Sequence, residues 1–397
     1  PGIIDCHSHA MILGRVNEST LPSTAMVRIE DVINSESVNI ERQLAGGVTV
    51  CNLLHGSANP IGGQNAVIKL RLGSPPEKLL IKNAPKGIKF ALGENVKQAN
   101  WGDKYTTRFP QSRMGVKTFF ENRFLAALAY EKNLLKEASE GIPQKKNLEL
   151  DAILEVIRGD RLIHCHSYRQ DEILVFLRTM EKFGVRVATL QHVLEGYKVA
   201  DEIAQHGAGA STFSDWWAYK FEVYDAIPYA GAMMHDRGCV VSFNSDSPDH
   251  ARRMNLEAAK AVKYGGLSEM EALKFVTLNP AKQLGIDNRV GSIEVGKDGD
   301  FAIWSGHPLD YRSRCEQTWI DGTLFYEINT FKKRDLAKTR ERNALIAKAK
   351  DTLNSGKVKD STQHTKFKFF QNSLETACDL FPHSCRSHEN HKEGVHQ

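Results

Sequence analysis

No apolar run in the 397 residues approaches the roughly 20 that a helix needs to cross a bilayer, so no membrane span is expected. Cysteine is scarce. The seven are scattered singly, without the paired spacings of a disulfide framework or a cysteine-based zinc module, and reduced thiols such as those of a cytosol fit best. Charge of one sign is lacking too. Lysine and arginine number 52 against 48 aspartate and glutamate, and outside the C-terminal tail no basic cluster is interleaved with aromatics, so no nucleic-acid partner is implied. Neither an initiator methionine nor a leader peptide is present. The chain opens abruptly on an apolar stretch, which leaves localisation open with the cytoplasm favoured.

What is present is a core-forming chain: 41% of its residues are hydrophobic, enough for one large α/β barrel or two ordinary domains. The opening residues, Pro1-Gly2-Ile3-Ile4-Asp5-Cys6-His7-Ser8-His9, read as a buried strand ending in two histidines spaced i and i+2. Two imidazoles side by side at a strand end make half of a metal site. The theme returns along the chain. Gly87 to Glu94 reads as an apolar strand ending in a carboxylate, Arg161 to His166 carries His164 and His166 on one face, Val187 to His192 ends in a histidine, and Cys239 to Asp246 ends in an aspartate. Between these strands lie helical segments, of which Ile173, Leu174, Phe176, Leu177, Met180 and Phe183 show the 3.6-residue period.

Strands alternating with helices imply parallel β-α units, and eight of them over about 280 residues suit a TIM (β/α)8 barrel, whose chemistry sits at the C-terminal strand ends. From Gly291 the pattern changes to short strands, with an Asp321-Gly322 hairpin turn, so a small β unit is appended. Domain boundaries are expected at 1–288 for the barrel, 289–327 for the β unit, and 328–397 for a charged helical segment followed by a disordered tail. The tail holds Cys378, Cys385 and five histidines in spacings that match no zinc module.

Two loops are candidates for substrate contact. The glycine-rich loop opened by His55 follows a strand end, where backbone N–H groups can cradle an anion, although such loops commonly just turn the chain. After the seventh strand, Trp217, Tyr219 and Lys220 offer an aromatic wall and a cation for a carboxylate, with rim packing as the alternative.

The opening Pro-Gly-Ile-Ile-Asp-Cys-His-Ser-His, His192 at a strand end, Asn-Ser-Asp at 244–246, and Leu-Asn-Pro-Ala-Lys-Gln-Leu-Gly followed by Gly-Ser-Ile-Glu-Val-Gly-Lys-Asp-Gly-Asp resemble the amidohydrolase superfamily. Within it the chain looks most like the imidazolonepropionase-like branch. The resemblance implies His7, His9, His166, His192 and Asp246 as ligands of one or two divalent ions, zinc first, with His164 one layer deeper. Many superfamily members carry a carboxylated lysine as bridging ligand on the fourth strand, and Glu94 is expected in that place here. The resemblance further implies metal-activated water, Asp246 as general base and His192 steadying the oxyanion, acting on a cyclic amide, an N-acyl amide or a dipeptide-like amide. Deamination, a metal-dependent lactonase or esterase, and a barrel that only binds are the alternatives. A small-molecule substrate is the expected partner, homo-oligomerisation is left open, and half of the family's β-sandwich is expected to be missing upstream.

Overall fold

The computed structural model describes residues 1–97, 108–141, 145–214 and 220–355, without the side chains of 137–140. The first part of the chain forms β1 (Ile3–Ser8), α1 (Val38–Leu44), β2 (Val48–Leu53), β3 (Ile61–Gln64), β4 (Ala66–Lys69), α2 (Pro76–Leu79) and β5 (Lys86–Ala91). Then come α3 (Arg113–Glu140), α4 (Leu148–Ile157), β6 (Arg161–Ser167), α5 (Gln170–Lys182), β7 (Val187–His192), α6 (Ala200–His206), β8 (Gly209–Thr212), α7 (Ala230–Asp236) and β9 (Val241–Phe243). Helices α8 (Pro248–Ala251), α9 (Met254–Gly265), α10 (Glu269–Lys274) and α11 (Leu278–Gln283) lead to β10 (Phe301–Trp304), β11 (Cys315–Ile320), β12 (Thr323–Glu327) and α12 (Ile328–Asn354).

The expected alternation of strand and helix is present, and β5 through β9 run parallel in one sheet, ordered β3-β5-β6-β7-β8-β9. A closed ring of eight parallel strands is not what the hydrogen bonds draw. A second sheet, β1-β2-β4, stands beside the first, and both β3 and β4 run antiparallel to the strands they edge. The reason lies at 61–69. Where a parallel ring needs one strand between β2 and β5, the chain places two four-residue pieces, one on each sheet, and Asn65 joins them: its N–H reaches Gly87 O at 3.2 Å and its amide bonds Asn52. On the other side the sheets meet through the loop after β9, where Asp246 N–H donates to His7 O at 3.1 Å.

Alternation along the inner strands decides what faces the middle. Ile88, Phe90, Ile163 and Cys165 pack outward in the core under the helices, where the Phe90 ring lies 5.5 Å from Phe120 and 6.3 Å from Phe176. Lys89, His164 and His166 therefore point inward. Strand β5 ends at Ala91, and Gly93, at φ +81, turns the chain away where an added Cβ would meet Glu222 Oε2 at 2.8 Å.

Residues 291–295, where the short-strand pattern begins, form no strand. The segment from Ser268 to Leu284 is broken into α10 and α11 at Thr277, which leaves Pro280 in the first turn of α11, where a missing N–H costs nothing. The hairpin turn at Asp321-Gly322 is as expected, with φ of 52° and 72°. Strands β10, β11 and β12 form an antiparallel meander tied to β4 by Lys69, whose fully buried ammonium lies 2.7 Å from Asp298, 2.9 Å from Asp300 and 2.6 Å from Asp321. Helix α12 buries none of its residues. Among the described residues no helix is long and apolar enough to cross a membrane.

Candidate metal centre

The ends of β1, β7 and β9 bring four of the predicted ligands into one cluster. His7 Nε2 and His9 Nε2 lie 3.2 Å apart, and Asp246 Oδ1 stands 3.4 Å from the first and 3.2 Å from the second. His192 Nε2 is 3.8 Å from Asp246 Oδ2, and its ring lies 4.7 Å from that of His7. His166 packs edge-on against His192 at 4.7 Å and completes the predicted set. His164 pairs across the sheet with Lys89 while His166 pairs with Ala91, so His164 sits one step deeper.

Backbone strain holds the arrangement. His192, Val193 and Asp246 have φ of +68°, +43° and +43°, a region costly for side chains with a Cβ and tolerated where surrounding bonds enforce it. For Asp246 those bonds are visible. Ser245 donates its N–H at 3.0 Å and its hydroxyl at 2.5 Å to the buried Asp5 carboxylate, which staples the loop after β9 to β1.

The ring tautomers follow from the partners. His9 Nδ1 lies 2.8 Å from Leu54 O, and a carbonyl only accepts, so Nδ1 carries the proton and Nε2 keeps its lone pair. His7 Nδ1 lies 3.1 Å from Gln191 Oε1, with the same result. Two imidazole lone pairs thus face a carboxylate oxygen, with these donor atoms all within 4.8 Å of one another. Among the described residues, His166 Nε2 and Asp246 Oδ1 are buried without a hydrogen-bond partner. Acceptors turned on acceptors, and buried atoms left unpaired, are what a cation would satisfy, so the residues fit a divalent metal. Burial, and after it Lys89, holds His7 well below the ordinary imidazole range; burial and then His192 do so for His166. Burial takes His192 to about 3. The rings are accordingly neutral at pH 7, the form in which imidazole ligates.

The sequence profile of the amidohydrolase family matches residues 1–338. The chain belongs to the amidohydrolase family. It is 30% identical over 359 residues to the amidohydrolase tasK of Hapsidospora irregularis, covering 82% of this chain and 36% of that protein. It is 39% identical over 111 residues to the imidazolonepropionase of Bacteroides thetaiotaomicron, covering 26% and 27%. The matched part spans about a third of the length of these relatives. A crystal structure of an amidohydrolase from Thermotoga maritima MSB8 superposes with a TM-score of 0.77 at 33% identity, over 82% of this chain and 86% of that one.

Against this family frame, Glu94 is not brought to the cluster. It lies in the loop three residues beyond β5, half-exposed, with its N–H bonded to Glu222 Oε2 at 2.9 Å. The group that β5 does deliver is Lys89, fully buried, with Nζ 3.1 Å from His7 Nε2. Sequence reading passed over it, although a lysine between Ile88 and Phe90 in an apolar strand is a legible signal: burying a charge there needs a reason. His55 is not a free contact either. Its Nε2 accepts the Glu18 N–H at 2.8 Å and its Nδ1 donates to Gly56 O at 2.9 Å, so both nitrogens are spent on the main chain. Trp217 and Tyr219 lie outside the described residues. Lys220 is described, with its ammonium 4.4 Å from the Tyr168 ring. Tyr168 and Phe213 had no sequence signal, yet their rings cover His192 from 5.3 Å each.

Proposed function

We propose that the chain is a metal-dependent hydrolase of non-peptide carbon–nitrogen bonds in small molecules: cyclic amides, N-acyl amides or dipeptide-like amides. The observation that carries this reading is the convergence of the His7 and His9 lone pairs on the Asp246 carboxylate, a donor set suited to a divalent ion, with the Lys89 ammonium reaching it at His7 Nε2. His7, His9, His166, His192 and Asp246 would hold the ion, with zinc the first candidate by its preference for imidazole and carboxylate. A bound divalent ion supplies Lewis acidity toward a carbonyl and brings the pKa of water toward neutrality.

The chain's own residues do the rest. Asp246 sits between the β1 histidines and His192, placed to take a proton from water and return it to the departing nitrogen. His192 is fixed between Tyr168 and Phe213, and among the described residues its buried Nδ1 has no hydrogen-bond partner, which suits it to steady a developing oxyanion. The bridging place that the resemblance gives to a carboxylated lysine falls to Lys89 and not to Glu94. A buried ammonium facing an imidazole nitrogen costs several kcal/mol by desolvation alone. Loss of one proton from the ammonium frees the Nζ lone pair, and its attack on carbon dioxide with loss of a second proton would give a carbamate, an anionic oxygen donor in place of that cation. We read the two sheets as arcs of the (β/α)8 barrel over 1–288, and β10 to β12 as part of an appended β-sandwich over 289–327.

The test is elemental analysis of protein purified without chelator. At least one equivalent of a divalent ion is expected, lost when His7 and His9 are both replaced by alanine, together with a screen of amides on the reloaded wild type. Substoichiometric metal in a folded sample, unchanged by the double replacement, overturns the reading.

A further inference from the structure

Strand β1 lies at one edge of its sheet and β9 at one edge of the other, and among the described residues no ladder of backbone hydrogen bonds joins the two. The predicted ligands straddle that gap, with His7 and His9 on one side and Asp246 on the other. Between them stands a carboxylate outside the ligand set. Asp5 is fully buried; its Oδ1 accepts the His7 N–H at 3.3 Å and the Ser245 N–H at 3.0 Å, and its Oδ2 accepts the Ser245 hydroxyl at 2.5 Å. The register of β1 on β2 shifts between Asp5 and Ser8, so the strand departs from regular pairing where these bonds are made.

The Ser245 hydroxyl acts in both directions along the chain. Its proton goes to Asp5 and its lone pair accepts the Ser247 N–H at 3.3 Å, so the residues on either side of Asp246 are tied to one carboxylate. Asp246 adds its own N–H, which donates to His7 O at 3.1 Å. A φ of +43° at Asp246 persists only where neighbouring bonds over-determine it, and these are such bonds. A carboxylate suits the place because its two oxygens only accept and can take three donors that burial keeps from water. An apolar side chain there would strand all three.

We infer that Asp5 is a positioning residue of the centre: through Ser245 it clasps the loop after β9 to β1 and sets the separation of the Asp246 carboxylate from the His7 and His9 imidazoles. That separation decides how tightly an ion is held and where Asp246 stands as a base. The inference rests on the metal centre of the reading above and adds to it a residue that acts only through its neighbours. Geometry and charge make opposite forecasts for Asp5→Asn. The amide oxygen still accepts the two N–H groups, the NH2 donates to Ser245 Oγ, and the displaced hydroxyl proton turns to His7 O, 3.5 Å away. The clasp therefore survives loss of the charge. Asp5→Ala abolishes it, and Ser245→Ala removes the hydroxyl half, including the anchor for Ser247, while the N–H bond from residue 245 to Asp5 remains.

The experiment is titration of metal-free protein with cobalt(II), followed by the visible absorption of the bound ion, whose position and intensity report its ligand geometry, with circular dichroism as the check on folding. Asp5→Asn is expected to keep the wild-type spectrum and an affinity within about threefold of wild type. Asp5→Ala should bind cobalt at least tenfold more weakly, and Ser245→Ala at least threefold more weakly, both with an altered spectrum. On metal-saturated protein, Ser245→Ala should lower kcat at least tenfold for any amide that wild type hydrolyses, with KM changed less than about twofold. Wild-type affinity and spectrum in Ser245→Ala overturn the inference even if Asp5→Ala fails to fold. An Asp5→Asn spectrum that departs from wild type overturns it whatever becomes of the alanine variants, because charge and not the clasp is then what the centre needs. Wild type that binds cobalt and hydrolyses no amide removes the hydrolase reading and leaves the titration to decide the clasp. Wild type that takes up no cobalt removes both.

Discussion

Replacing Gln191 by leucine separates a residue that orients a ligand from one that merely fills the interior. Gln191 is fully buried, and its Oε1 accepts from His7 Nδ1 at 3.1 Å, leaving His7 Nε2 to face the candidate metal position. Among the described residues its own Nε2, also buried, has no acceptor. Two opposing terms follow. Losing the acceptor strands the His7 N–H, at about 1 to 3 kcal/mol, while removing the stranded amide of Gln191 recovers a similar amount. The metal-free protein should therefore keep its stability to within about 1 kcal/mol. Metal binding has no such compensation, because the His7 ring loses the bond that selects its tautomer. Loss of an outer partner of a ligating histidine costs about 10- to 100-fold in affinity, or about 1.4 to 2.8 kcal/mol. Gln191→Glu, which keeps an acceptor and makes it anionic, should retain or raise affinity. The assay is zinc titration in competition with a chromogenic chelator, paired with urea unfolding of the metal-free forms. Equal zinc affinity in wild type and Gln191→Leu would refute the tautomer argument. A stability loss above about 3 kcal/mol without the metal would show that Gln191 serves packing first.

Three further perturbations test neighbouring parts of the structure. With Lys89 as the bridge, Lys89→Met should lower bound metal from two ions toward one per chain, while Glu94→Gln leaves stoichiometry unchanged; elemental analysis of both decides, and the opposite pattern returns the bridging role to Glu94. His55 is held down to about 4, chiefly by burial, against 6.5 when unfolded. The unfolded chain therefore binds a proton that the native state refuses between those values, and as pH falls from 6.5 to 4 about 3 kcal/mol of stability is lost through this residue. His55→Gln supplies one acceptor and one donor without titrating, so urea unfolding should show a flatter pH dependence in the variant; identical slopes would be the contrary result. Lys69→Met leaves Asp298, Asp300 and Asp321 facing one another without their shared cation, and urea unfolding should register a loss of about 3 to 5 kcal/mol.

The parts of the site legible in the sequence are those where chemistry and period coincide. His7 and His9 two apart, His166 and His192 at strand ends, and Asp246 after an apolar run each announce a polar atom where a barrel strand exits, and the structure gathers all five. Glu94 was placed at a strand end because the strand was extended to the last residue before a polar stretch. Gly93 ends it earlier, and with β5 closing at Ala91 the inward position nearest His7 belongs to Lys89. A charged residue inside an apolar strand carries more information than one at its apparent end, since burial makes its presence costly and a strand's end is uncertain by several residues. The antiparallel β3 and β4 were hidden for a different reason. Four-residue strands around Asn65 have no period long enough to show direction, and direction is set by which sheet edge each piece can reach. Gln191, Tyr168 and Asp5 belong to a third class. Nothing local marks them, because their work is done on a residue brought alongside from elsewhere in the chain: Gln191 on His7, Tyr168 on His192, Asp5 on Ser245. Such residues become visible only once the strands are placed side by side, which is why the ligands of a metal centre can be read from a sequence before the groups that orient them.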